Sequence, residues 1–373
     1  RIGHSREVLR RQSWLVALAT LLGSVMLQTA PAVAQAVDFK GKRIEFIIPF
    51  AAGGGSDVWA RFFQPYLEKY LPGNPTVLVK NQPGGSGIAG TNQFHLRAQP
   101  DGLTVLGTTG SVQLPYLLDD PRVKYEYKEW TPIMVSPTGG VTYVQPALGL
   151  NSADDIQKLK GQKLKYGSQG VSSLDMVAVL AYELLGLDMQ VVFGLKGRAD
   201  GRLAFERGEL NIDYQTTSAF VKNVEPLAKA GKAVPLFAWG VLDEKGDVIR
   251  DPTFPHLPSF VEVYEKMHAK KPAGIEWEAY KAFFTAGFAA QKIIVLPKGT
   301  PANIIAVWRA AIGRVVIDPE FIHRSKDELG DYKQAVGPDA AALTDVAINV
   351  DPAAKAWVKD WLVTKYNYKP DAD

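Results

Sequence analysis

The 373-residue chain has no cysteine. That absence excludes a disulfide framework, a thiolate metal site and a cysteine nucleophile. Histidine is scarce: His4, His95, His256, His268 and His323 stand apart with no H-E-x-x-H pair, so neither a catalytic zinc nor any other cofactor is expected. The P-loop pattern is missing, because Gly231-Lys232 runs into Ala233, and the hydrolase elbow is missing, because Gly84-Gly85-Ser86-Gly87 runs into Ile88. Long apolar runs are absent as well, apart from Trp14 to Leu27, which is too short to span a bilayer.

That one run has a context. Arg1, Arg6, Arg10 and Arg11 precede it and Ala32-Val33-Ala34 follows it, the layout of a secretory signal peptide over residues 1–34, with cleavage expected after Ala34 and a mature chain starting at Gln35. Taking four Arg and Glu7 away from 42 Lys+Arg and 39 Asp+Glu leaves the two signs equal, so no basic footprint for nucleic acid remains. Export without disulfides fits a bacterial periplasm.

Strand-like runs alternate with amphipathic helical stretches along the rest of the chain: Ile44 to Pro49, Thr76 to Lys80, Leu103 to Gly107, Ile133 to Val135, Leu164 to Tyr166, Met189 to Phe193, Leu210 to Tyr214, Val234 to Trp239 and Ile293 to Leu296. The pattern predicts an α/β fold of mostly parallel, helix-covered sheets, with ligands beyond the carboxyl ends of the strands. Asp243 to Lys271 reads as a surface excursion carrying one helix, and the chain from Thr300-Pro301 onward as helical.

Two glycine- and serine-rich turns carry the chemistry. Ile44 to Pro49 feeds Phe50-Ala51-Ala52-Gly53-Gly54-Gly55-Ser56-Asp57 and then a helix, a turn whose free backbone N–H groups suit an anion. The second, Tyr166-Gly167-Ser168-Gln169-Gly170-Val171-Ser172-Ser173, again joins a strand to a helix; its serines either cap that helix or add hydroxyls to a second anion clamp. Asp57 has two roles open to it, capping its helix or facing the ligand. Gly85-Ser86-Gly87-Ile88-Ala89-Gly90 spells a dinucleotide fingerprint, yet the ribose-binding acid due some twenty residues later is replaced by Thr108-Thr109-Gly110-Ser111.

Phe46 to Asp57 with Arg61, Val79 to Gly90, and Pro100-Asp101-Gly102-Leu103-Thr104 together resemble the solute-binding receptors of tripartite tricarboxylate transporters, the Bug family. The likeness continues through Lys165 to Gly170, Leu195-Lys196-Gly197, Gly208 to Ile212, Phe254 to Phe260 and Pro297 to Pro301. It implies a two-lobed type II periplasmic binding protein, lobe 1 being residues 36–137 with 286–373 and lobe 2 residues 138–285. It also implies a non-enzymatic, monomeric receptor that passes a small carboxylate to an inner-membrane permease of large and small subunits. The expected ligand contacts are Ala51, Ala52, Gly54, Gly55, Ser56, Asp57, Gly85, Thr109, Ser168, Ser172, Ser173, Gln215 and Thr216. The rival readings are a dinucleotide-dependent enzyme, a secreted hydrolase using Ser86 or Ser168, and a ligand sensor for a membrane kinase.

The family's usual pattern is altered at Ser172 to Met176, at Leu195 and at Gln215-Thr216. With Trp59, Thr109, Gln215, Thr216 and Trp239 at strand ends, the walls are expected to be neutral and aromatic. That favours a monocarboxylate or aromatic carboxylate over citrate, whose further carboxylates would be desolvated without partners. Lys196, Arg198 and Arg202 lie near the second turn and could reverse this preference, although at least two of them are expected to be surface cations.

Overall fold

The computed structural model describes residues 36–243 and 245–369. The leader and its cleavage site lie outside these residues. Strand β1 (Arg43–Ile48) alternates Ile44, Phe46 and Ile48 inward on one face and is flanked in parallel by β2 (Thr76–Asn81) and β3 (Thr104–Thr109). Each connection is a helix, α1 (Gly55–Tyr70) between β1 and β2 and α2 (Ile88–Arg97) between β2 and β3. A third, α3 (Gly110–Leu117), follows β3 directly. β4 (Thr131–Ser136) then joins the same sheet, and the chain leaves it through Pro137–Gly139.

The middle of the chain builds separate sheets. β5 (Gly140–Val144), β8 (Ile212–Thr216) and β9 (Val234–Ala238) form an antiparallel sheet with β5 at its centre, and β6 (Lys163–Ser168) pairs in parallel with β7 (Asp188–Phe193). Helices α4 (Asp175–Leu184) and α5 (Arg198–Glu206) start just past β6 and β7. The expected surface excursion is a short hairpin of β10 (Val241–Leu242) and β11 (Val248–Ile249), followed by α6 (Phe260–His268), which opens with a Ser259–Glu262 capping box.

After α7 (Ile275–Phe284) the chain returns to the first sheet as β12 (Lys292–Leu296), running antiparallel between β3 and β4. Helices α8 (Ala302–Val315) and α9 (Pro319–Glu328), the edge strand β13 (Ala335–Val336), α10 (Pro338–Ile348) and α11 (Pro352–Tyr366) complete the chain. The α/β class holds, but the expected excess of parallel pairing does not. Three strand pairs are parallel and six antiparallel among the described residues: β12 enters the first sheet from the opposite end, β13 pairs antiparallel with β4, and the β5–β8–β9 sheet and the β10–β11 hairpin are antiparallel throughout.

One apolar core underlies the six-stranded sheet, around Phe46, Trp59, Phe63 and Trp308. A second gathers Tyr166, Tyr182, Tyr214, Trp239 and Phe284. Helix α11, expected with the first lobe, adds Ala354, Val358 and Leu362 to the second core, and its end is tied to Glu183 of α4 by Trp361 and Tyr366. Trp59 and Trp239 are 1% and 0% exposed and packed among aromatic rings, so they are core residues and not the cleft walls their strand-end positions suggested.

Candidate functional site

The turn after β1 is built for exposed amides. Gly53 takes φ +87°, a conformation that costs a side-chain-bearing residue, and its N–H donates to Asp57 Oδ2 at 3.0 Å. Within α1 the earliest backbone bond runs from Val58 N to Gly54 O at 3.0 Å, which leaves the amides of Gly55, Ser56 and Asp57 without intrahelical partners at the positive end of the helix dipole. The start of α5 faces this end. A Cβ built on Gly54 would lie 3.8 Å from the Ala199 amide nitrogen, and one on Gly197 3.9 Å from that of Ala51.

Between the two helix ends lies a cavity of about 30 Å³, walled by Phe50, Ala51, Gly54 to Asp57, Thr109, Ser111, Gln169, Leu174, Gly197, Arg198, Tyr214, Thr216 and Gln291. Thr216 Oγ1, Gln291 Oε1 and Arg198 Nε are buried in this wall without hydrogen-bond partners among the described residues. Buried polar atoms are normally paired, so atoms left in this state around one small space are positioned for a bound group.

Asp57 neither caps its helix nor stands free. The N-cap is Gly54, and Asp57, at the third helical position, braces the preceding turn by accepting from Gly53 N–H, Asn81 Nδ2 at 3.0 Å and Arg61 Nε at 3.0 Å. Burial alone would raise its carboxyl, but the hydrogen bonds from Arg61, Gly53 and Asn81 and the Arg61 charge outweigh burial and hold it below the ordinary range. A depressed carboxyl stabilises the fold above its unfolded value and stops doing so as pH falls through its folded value. Asp57→Asn is therefore expected to cost about 1–2 kcal/mol at pH 7, with a deficit that shrinks below pH ~4. The share owed to Arg61 is reduced by solvent, since its side chain is half-exposed. Urea melts of both proteins between pH 3 and 7 measure it; a pH-independent deficit would contradict the bracing role.

The other wall rests on a buried ionic cluster. Arg198 is 7% exposed and donates to Gly167 O at 2.7 Å, to Asp175 at 3.3 Å, to Tyr214 O at 3.1 Å and to Asp213. Its guanidinium stacks over the rings of Tyr214 and Tyr166 at 4.8 and 5.2 Å. Burial opposes the Arg198 charge, and Asp175 and Asp213 more than restore it. Burial also pushes the Asp213 carboxyl above its usual value, against Arg198, Tyr143 and Gln215. With two acids around one guanidinium, the cluster brings no net positive charge to the cavity.

The expected contacts divide. Ala51, Gly54, Gly55, Ser56, Asp57, Thr109 and Thr216 stand in the cavity wall. Ala52 and Gly85 are exposed outside it. Ser168 and Ser173 spend their hydroxyls on Gly170 O, at 3.1 and 2.9 Å, and Ser172 donates to Asp120 at 2.6 Å, so these three shape the second turn rather than line the space or cap α4, whose N-cap is Leu174. Gln215 supports Arg198 from behind, donating to its carbonyl at 2.7 Å.

Residues the sequence reading left out include Ser111, Gln169 and Gln291. Gln169 bridges the two walls: its Nε2 donates to Ser111 Oγ at 2.9 Å and its carbonyl accepts from Ser86 Oγ at 2.5 Å. Its place in a glycine-serine turn was a usable signal. Gln291 had none, since it reaches the cavity only through the antiparallel insertion of β12.

This constellation of facing helix ends agrees with a match of residues 60–328 to the model of the tripartite tricarboxylate transporter family receptor. The chain belongs to this family. It is 33% identical over 308 residues to the protein BugT of Bordetella pertussis, covering 81% of this chain and 82% of BugT. Among solved structures, the periplasmic binding protein BugD superposes with a TM-score of 0.60 at 23% identity, over 86% of this chain and 94% of BugD. The R. palustris protein Rpa4515 with adipate gives 0.64 at 17%, over 88% and 98%. These superpositions show a shared fold, the two-lobed architecture of periplasmic binding proteins. The tripartite tricarboxylate receptors are solute-binding proteins and not enzymes, so the dinucleotide and hydrolase readings fall.

Proposed function

We propose that this chain is a periplasmic receptor that closes two lobes over one carboxylate of a small organic acid and delivers it to an inner-membrane permease of large and small subunits. The observation that carries this reading is the opposition of two helix N-termini, at Gly55 to Asp57 and at Arg198-Ala199, with the buried, unpartnered Thr216 Oγ1 and Gln291 Oε1 between them. Free amides and a hydroxyl donate to an anion, while a glutamine presents either an acceptor or, turned over, its own N–H₂ donor. Adipate, in the solved structure of Rpa4515, is a carboxylate of the same class. One chain supplies both walls, so a monomer suffices.

A cavity of about 30 Å³ has room for a carboxylate head group. Arg198 is committed to Asp175 and Asp213 and supplies no spare charge for citrate. A monocarboxylate or aromatic carboxylate is therefore expected to bind in preference to citrate. Calorimetry with citrate, succinate, benzoate and terephthalate at one pH tests both levels. No binding by any of them overturns the receptor reading; citrate binding more tightly than every aromatic acid overturns the preference alone.

A further inference from the structure

One residue behind the cavity wall, a tyrosine ties the body built on the six-stranded sheet to the body built on β5, β8 and β9. Tyr332 lies between α9 and β13, and β13 pairs with β4, so it belongs to the first body. Thr217 directly follows Thr216 at the end of β8, and Asp251 precedes Phe254, which packs with Val141 and Tyr143 of β5, so both belong to the second. The Tyr332 hydroxyl donates to Asp251 Oδ2 at 2.6 Å and stands 2.7 Å from Thr217 Oγ1, whose hydrogen it accepts. Asp331 N–H donates to Thr253 Oγ1 at 2.9 Å across the same boundary. Asp251 is 0% exposed and no lysine or arginine pairs with it among the described residues, so it depends on the Tyr332 hydroxyl and on Thr253 N–H at 2.8 Å. Burial pushes its carboxyl above the usual range, and those bonds hold back part of the rise.

These three groups meet on the segment that carries the chain from β4 to β5. A Cβ built on Gly139 would lie 2.2 Å from Asp251 Oδ2, 2.7 Å from the Tyr332 hydroxyl and 3.3 Å from Thr217 Oγ1. Thr217 N–H donates to Gly139 O at 3.3 Å, and Thr138 N–H to Phe288 O of the returning crossing at 3.1 Å. A rotation of the two bodies about this segment moves Tyr332 against Asp251 and Thr217, and about 1 Å of stretch is enough to lose such a bond. The tyrosine has room to leave its partners, because it borders a space of about 320 Å³ lined also by Pro137, Thr138, Leu242, Phe288 and Leu343. On the other side, Thr217 adjoins Thr216, whose unpartnered Oγ1 stands in the cavity wall, while Tyr332, Asp251 and Thr217 themselves do not line the cavity.

We propose that Tyr332, bridging Asp251 and Thr217 beside the Gly139 crossing, is a latch that holds the two bodies closed over the cavity. Part of the free energy of closure is then built into the chain, and the bound carboxylate supplies only the remainder. This rests on the reading of the chain as a receptor that closes, but not on which acid it takes. Tyr332 is a positioning residue: it acts on binding through the population of the closed state and through the place of the Thr216-Thr217 wall, without touching the ligand.

Because the chain has no cysteine, Leu96→Cys on α2 and Leu203→Cys on α5, both exposed, give one spin label on each body. Distances between the labels are measured by electron spin resonance in the otherwise wild-type protein, in Tyr332→Phe and in Thr217→Val, without acid and with benzoate or succinate, and affinities by calorimetry on the same proteins. Tyr332→Phe is expected to lower the ratio of closed to open protein about 10-fold, since it removes a hydrogen bond to a buried carboxylate. That lengthens the ligand-free distances where the closed state is the major one, and weakens binding by up to the same factor where it is the minor one. Thr217→Val should shift both in the same direction by less. Gly139→Ala, which presses Asp251 and Tyr332 apart, should resemble Tyr332→Phe and add little to it in the double variant. Unchanged distances with unchanged affinity in Tyr332→Phe, whatever its melting temperature, would show a bond that does not bias closure and would overturn the latch. A shift toward the closed arrangement overturns it too. If neither acid binds the wild type, the carboxylate reading falls by itself, and the ligand-free distances decide the latch.

Discussion

Arg198→Met is expected to lower the stability of the folded chain by about 3–5 kcal/mol at pH 7, because it leaves Asp175 and Asp213, both 0% exposed, without the cation that pairs them. Arg198→Lys should recover little of this. A lysine presents a point charge, whereas the arginine reaches Gly167 O, Tyr214 O and two carboxylates from one planar fork while stacking on Tyr214. The deficit has a pH signature as well. Asp213 is already raised by burial, and without Arg198 it binds a proton more readily in the folded state, so stability is regained as pH falls and this carboxyl becomes neutral. Adding Asp213→Asn to Arg198→Met should likewise restore part of the loss. Urea denaturation from pH 4 to 8 measures all four proteins; a loss below about 1 kcal/mol for Arg198→Met would mean that water, not the guanidinium, satisfies the two acids.

The second large effect is on binding and leaves the fold almost untouched. A Cβ placed on Gly55 would meet Thr216 Oγ1 at 2.0 Å and the Thr216 Cβ at 3.4 Å. Gly55 comes from the turn of the first sheet and Thr216 from the end of β8 in the second, so this contact exists only while the two walls of the cavity are together. Gly55→Ala is accordingly expected to weaken carboxylate binding by about 100-fold or more by disfavouring the closed state. The melting temperature of the free protein should move by little, since alanine is at least as compatible with a helix start as glycine. Thr216→Ala removes the clashing oxygen, and the pair Gly55→Ala with Thr216→Ala should bind more tightly than Gly55→Ala alone. Calorimetry of the three variants with benzoate and succinate decides it. Undiminished binding in Gly55→Ala would show that the cavity does not close at this point.

The two turns show how far local pattern reaches. β1, the glycines after it and the start of α1 follow from residue type alone: an alternating apolar run, then residues that tolerate φ above zero, then a helix whose first amides have nowhere to bond. Asp57 was marked in the same way, though its partners were not, because Asn81 comes from the end of β2 and only the parallel register of β1 with β2 puts it there. The serines of the second turn were misread for a related reason. Hydroxyls at a helix start look like donors to a ligand, but backbone folding supplies Gly170 O, and packing supplies Asp120, as nearer acceptors. β5 is missing from the strand-like runs of the sequence, although every residue of the strand is buried at the centre of its sheet.

By itself the sequence determined the chemistry that this protein lacks and the two strand-turn-helix units that it has, because these depend on residues close together in the chain. Its three spaced motifs also determined the family. Tertiary structure decided what the cavity is made of. Gln291 reaches it only because the chain returns from the other half of the molecule and β12 inserts antiparallel between β3 and β4. Arg198 is drawn inward rather than left on the surface with Lys196, because two acids from different elements, Asp175 on α4 and Asp213 on β8, converge on the place where α5 begins. The charge of a site is a sum over residues distant in sequence, and only the folded chain brings the addends within the few ångströms at which they act.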